Sequence, residues 1–153
     1  MNLPLLRLFI AVLLTASSAL AADDLQALTG KWSVKKTNEQ GEKFTETIEV
    51  KNDKFIFQIL GGEDQVTLYA AGDLKLERFG PFNSVRFLHI RAGSSSSNLQ
   101  DVDDEYVSIY VIDGDTWTMA ANFDKQRDQQ KPSADIYRRV KASAPLKPSK
   151  SAQ

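Results

Sequence analysis

From Gly30 onward, apolar and polar side chains alternate with a period of two, and turn residues break the pattern roughly every eight to twelve positions. Successive side chains of a strand point to opposite faces, so this chain is predicted to fold into strands with one apolar face each. "KFTETIEV" sets Phe44, Ile48 and Val50 against Thr45, Thr47 and Glu49, and "KFIFQIL" puts Phe55, Phe57 and Ile59 on one face. Asn52-Asp53 between them is a two-residue hairpin signal. "QVTLYAAG" groups Val66, Leu68 and Ala70, and "DLKLERF", read as a separate strand, sets Leu74 and Leu76 opposite Lys75 and Glu77. "SVRFLHIRA" is more continuously apolar. Gly93 to Glu105, "GSSSSNLQDVDDE", reads as the longest loop. "YVSIYVI", the turn Asp113-Gly114-Asp115, "TWTMAANF", the charged loop "DKQRDQQKP" and "ADIYRRVK" complete a set of eight or nine strands. Only Asp23 to Leu28, with Leu25 and Leu28 three apart, reads as a helical turn. The class is all-β, a sandwich or a closed barrel, and closure would bury every apolar face and remove exposed edges.

The two ends fall outside this pattern. Arg7, the apolar run Leu8 to Leu14 and the small-x-small Ala19-Leu20-Ala21 have the layout of a cleavable signal peptide over residues 1–21. The run is too short to span a bilayer and no stop-transfer pattern follows, so no stable membrane anchor is expected after cleavage. A periplasmic or secreted location follows. From Ala142 the chain becomes "SAPLKPSKSAQ", predicted to be a disordered Pro/Ser/Lys tail over 142–153. Residues 22–141 form the single predicted domain, large enough for one core.

Composition narrows the function classes. The formal net charge is −1, which gives no electrostatic case for nucleic acid. The chain has no Cys, so thiol catalysis, iron–sulfur clusters, Cys-based zinc sites and a lipoprotein anchor are all excluded. His89 is the single His, too little for a transition-metal site, and it reads as a strand His satisfied by a neighbour. Asp101 to Glu105 lacks the spacing and the Gly of a calcium loop. Asp113 and Asp115 flank Gly114 as turn chemistry requires. Ser94 to Ser97 have no base arranged beside them. No cofactor and no catalytic residue is expected, and no protein partner is named by the sequence.

Four pieces in order carry a resemblance. "LTGKWSV" has a Gly-x-Trp, Gly30 and Trp32, at the first strand. "IYVIDGDTWTM" and "KPS", Lys131 to Ser133, precede a last strand "IYRRV" that carries Arg138 and Arg139. Over roughly Leu25 to Lys141 the chain resembles a bacterial lipocalin-like domain family of uncharacterised function. The resemblance implies a lipocalin-like antiparallel up-and-down β-barrel of about eight strands with a short N-terminal helical turn. It also implies that a basic residue of the last strand packs across Trp32 to close the barrel floor. Alternation puts Arg138 and Arg139 on opposite faces; the reading leans to Arg139 and leaves both open. Gly30 would let the chain bend from the helical turn into the barrel.

An eight-stranded barrel is either filled by its side chains or just wide enough for one small ligand. Phe55, Phe57, Tyr69, Phe87, Tyr110 and Trp117 are the candidate interior residues for a small apolar or amphipathic ligand, with the 93–105 segment as rim or lid. The alternative is a solid-core structural or protein-interaction module of the cell envelope.

Overall fold

A computed structural model describes residues 23–125 and 131–141 of the chain. The expected signal peptide and tail lie outside the described residues. Residues 23–28 are helical. Nine strands follow: β1 (Gly30–Thr37), β2 (Lys43–Lys51), β3 (Lys54–Leu60), β4 (Val66–Phe79), β5 (Phe82–Ser95), β6 (Asn98–Asp101), β7 (Tyr106–Asp113), β8 (Thr116–Ala121) and β9 (Ser133–Arg139). Eight of them close an antiparallel barrel in the order β1-β2-β3-β4-β5-β7-β8-β9, and β6 pairs with the far end of β5. Of the sandwich and the closed barrel that the alternation allows, the fold is the closed antiparallel barrel, with the short N-terminal helical turn that the resemblance implies.

The turns sit where local chemistry allows them. Asn52 takes a left-handed φ of 56° in the β2–β3 hairpin, where Lys51 pairs with Lys54, a conformation Asn tolerates. Gly114 takes φ 56° between Asp113 and Thr116, which pair across the β7–β8 hairpin.

Two strand boundaries differ from the expectation. "QVTLYAAG" and "DLKLERF" are one continuous strand, β4, and Gly72 does not break it. A Cβ at Gly72 would run into the Leu88 carbonyl oxygen and lie 3.0 Å from Phe55 Cε1, so the glycine serves close strand approach. Gly93 to Glu105 is not one long loop. Residues 93–95 continue β5, and Asn98–Asp101 form β6, which pairs back onto Arg91, Ala92 and Ser95 before a short irregular stretch reaches β7.

A bulge explains the continuous apolar run of "SVRFLHIRA". The β4–β5 register shifts between Ala71 and Asp73, opposite His89, whose φ is 48°. The extra residue reverses the facing of the strand. Val85 and Phe87 are buried before the bulge, and Ile90 is buried after it while His89 is exposed.

The interior is packed at the end covered by the helical turn. Leu28, Trp32, Val50, Leu74, Val85, Tyr110 and Trp117 form the core there. Trp32 and Trp117 meet edge-to-face with centroids 5.7 Å apart, a favoured aromatic geometry. The Trp117 indole N–H has no hydrogen-bond partner among the described residues.

Candidate functional site

The barrel floor is built around the last turn of the helical segment. The end of a helix leaves carbonyls unsatisfied, and here two side chains take them. Trp32 Nε1 donates to the Leu28 carbonyl at 2.8 Å, and Arg139 donates to the Ala27 and Thr29 carbonyls at 2.6 and 2.8 Å. Strand pairing sets Trp32 directly opposite Arg139, and the guanidinium carbon lies 4.1 Å from the Trp32 ring centroid. Asp115 holds the same guanidinium from the β7–β8 turn, 3.2 Å from Nε. Tyr110 ties the helical turn to β7 by donating to Asp24 at 2.8 Å. Burial, and then that hydrogen bond, push the Tyr110 hydroxyl well above the ordinary tyrosine range.

Gly30 has two reasons at this floor. Its φ is +127°, and a Cβ would lie 2.9 Å from Arg139 Nη1. Arg138 does not close the barrel. It lies on the outer face of β9, exposed, and donates to Thr116 Oγ1 at 2.6 Å.

The opposite half of the barrel holds a cavity of about 510 Å³, within the range of small-molecule sites. It reaches solvent at the end away from the floor, where Leu68 and Ser133 of its lining are exposed. Ile48, Phe55, Phe57, Ala70, Phe87 and Ile90 make an apolar wall. Phe55 and Phe87 stand edge-to-face, 4.9 Å between centroids, towards its base. Val102 also lines the cavity and donates its amide to the Ile90 carbonyl. Part of the 93–105 segment therefore does lie at the cavity.

Three of the six candidate interior aromatics line this space: Phe55, Phe57 and Phe87. Tyr110 and Trp117 face inward but lie in the packed half, below the cavity. Tyr69 is on the outer face, because its neighbour Ala70 is the buried residue that faces in.

The polar flank was not among the candidates. Lys36 on β1, Glu46 on β2, and Asp135 and Tyr137 on β9 all line the cavity. Lys36 Nζ lies 3.0 Å from Glu46 Oε2 and 2.7 Å from Asp135 Oδ2, and Tyr137 donates to Glu46 Oε2 at 2.9 Å. The three charged side chains are 26%, 13% and 20% exposed. β1 and β9 are registered through Trp32–Arg139 and Ser33–Arg138. Continued along both strands, that register brings Lys36 opposite Asp135, so the ion pair latches the barrel seam beyond its last paired residues. Burial opposes the Lys36 ammonium, and the hydrogen bonds it donates to Asp135 and Glu46 outweigh it, holding the pKa above the ordinary lysine value. Burial, reinforced by the Glu46 charge, drives the Tyr137 hydroxyl far above the tyrosine range.

Strand alternation carries the signal for these four residues. Lys36 shares a face with Trp32, Glu46 with Ile48 and Val50, and Asp135 and Tyr137 with Arg139.

His89 pairs outside the barrel with Asp73, Nδ1 to Oδ2 2.6 Å, and Lys54 binds the same carboxylate. Among the described residues no group of three or more His, Asp or Glu is arranged to hold a metal ion. Comparison of the chain with protein-family models, with curated proteins and with solved structures finds no match.

Proposed function

We propose that this chain is an exported lipocalin-like protein that binds one small apolar or amphipathic molecule inside its barrel and does no chemistry on it. The carrying observation is the 510 Å³ cavity above a packed floor, with an apolar wall on one side and a hydrogen-bonded polar flank on the other. Apolar pockets with a few convergent polar groups suit ligands of that build. Two of the cavity's polar groups are not arranged as general bases. Lys36 and Tyr137 both keep their protons at neutral pH, and both are engaged with Glu46, so neither is a poised base. Arg7, Leu8 to Leu14 and Ala19-Leu20-Ala21 support a periplasmic or secreted location. Titration with the fluorescent probe N-phenyl-1-naphthylamine tests the reading. Saturable binding, reversed by a competing amphiphile, is expected. No saturable binding of this probe, nor of fatty-acid or sterol-like probes, would overturn it.

A second reading, a protein-interaction module, draws on the outer face. Val111 and Ile136 are more than half exposed and both pair with Thr118 across β8. Capture of an envelope protein that is lost on Val111→Glu, with probe binding intact, would favour it.

A further inference from the structure

We propose that the polar flank of the cavity selects a cationic amine head group and rejects a carboxylate. The proposal rests on the ligand-binding reading above and names the class of ligand for that same cavity. Among the described residues the charged groups lining the cavity are Lys36, Glu46 and Asp135, one ammonium against two carboxylates. Their formal sum is one negative charge.

The single cation is already committed. Lys36 Nζ binds both carboxylates and spans the seam between β1 and β9. An incoming carboxylate would have to take Lys36 from one of its partners, leaving that partner partly buried without a counter-charge. It would also stand beside two like charges in a space walled by Phe55, Phe57 and Phe87, where repulsion is weakly screened.

An amine meets the opposite situation. Glu46 Oε2 is shared by Lys36 and Tyr137, and Asp135 Oδ2 is bound to Lys36. The other carboxylate oxygens, Glu46 Oε1 and Asp135 Oδ1, accept no hydrogen bond from the described residues. They offer two acceptors to an ammonium without breaking the latch. The aromatic wall can add cation–π attraction for the same charge. The apolar body of the ligand would then lie against Ile48, Ala70 and Ile90.

A tail-matched series separates the head-group claim from binding itself. Dodecylamine, dodecanol and dodecanoate compete against N-phenyl-1-naphthylamine at neutral pH, each below its aggregation threshold. Dodecylamine is expected to bind at least about tenfold tighter than dodecanoate, with dodecanol between them. The variant Glu46→Gln/Asp135→Asn converts the formal charge of the lining from negative to positive and releases Lys36, so the order of amine and carboxylate should reverse. Dodecanoate binding as tightly as dodecylamine to the unmodified protein would overturn the head-group proposal while leaving the binding reading in place. Displacement by none of the three, with no saturable probe binding, would overturn both.

Discussion

Arg139 stacks on Trp32 at 4.1 Å while its guanidinium donates to the Ala27 and Thr29 carbonyls. One side chain thus closes the barrel and caps the helical turn that covers it. Trp32 takes the remaining carbonyl of that turn, Leu28, so the two act on one helix end. Trp32→Ala should destabilise the protein by about 3–5 kcal/mol and Arg139→Ala by about 1–3 kcal/mol. The double variant should cost less than the sum, with a coupling of about 0.5–3 kcal/mol. Urea unfolding of the four proteins measures this, and additive losses would show that the residues work apart.

Gly30 is the hinge into β1. Its positive φ is one cost to any side chain there, and crowding against Arg139 Nη1 is a second. Gly30→Ala should destabilise by about 1–3 kcal/mol. In an Arg139→Ala background the crowding is gone and the loss should shrink to the backbone part. An unchanged loss in both backgrounds would assign the whole effect to φ.

The hydroxyl of Tyr110 fastens the helical turn through Asp24. Tyr110→Phe should cost about 1–2 kcal/mol, and Asp24→Ala made on top of it should add little. Amide hydrogen exchange over residues 23–28 should rise in both variants. Unaltered exchange would mean that the turn is held by Arg139 and Trp32 alone.

Alkaline pH should loosen the barrel. Lys36, Tyr110 and Tyr137 all have folded pKa values above their ordinary ones, 10.5 for lysine and 10.0 for tyrosine. A raised folded pKa gives stability that is fully present below the unfolded value and is lost as pH rises from that value towards the folded one. The melting temperature should therefore be steady with respect to these groups below about pH 9 and fall steeply above pH 10. Tyr137→Phe removes one of the three groups, so its decline should be shallower. An equal slope in the variant would show that Tyr137 does not contribute.

The floor was legible in the sequence because it is made of rare residue types in a fixed order, a Gly-x-Trp at the first strand and an Arg on the last. The polar flank is encoded in the alternation alone and in no rare residue type. Lys36, Glu46 and Asp135 look like solvent-facing charges, yet their spacing from Trp32, Ile48 and Arg139 places them inside. Tyr69 is the reverse case, an aromatic whose parity with Leu68 and Ala70 already set it outside. The bulge at His89 was not legible, since an inserted backbone residue flips the facing of a strand without any change in side-chain type. Nor does alternation tell which half of a barrel is filled. That depends on side-chain volumes summed across eight strands, with Trp32, Trp117 and Tyr110 gathered at one end and Ala70, Ala92 and Ala121 around the other.

A small molecule that enters the open half of this barrel must be displaced when that half is filled. Ala70 is buried on the inner face, pairs with Phe57 and Ala92, and borders the cavity, so Ala70→Phe would fill space without adding charge. The decisive measurement is the affinity of N-phenyl-1-naphthylamine for the unmodified protein and for Ala70→Phe, with thermal unfolding confirming that the variant is folded. Saturable binding that weakens at least about tenfold in the folded variant is expected. Equal affinity in the two folded proteins would place the bound probe outside the cavity and contradict binding inside the barrel.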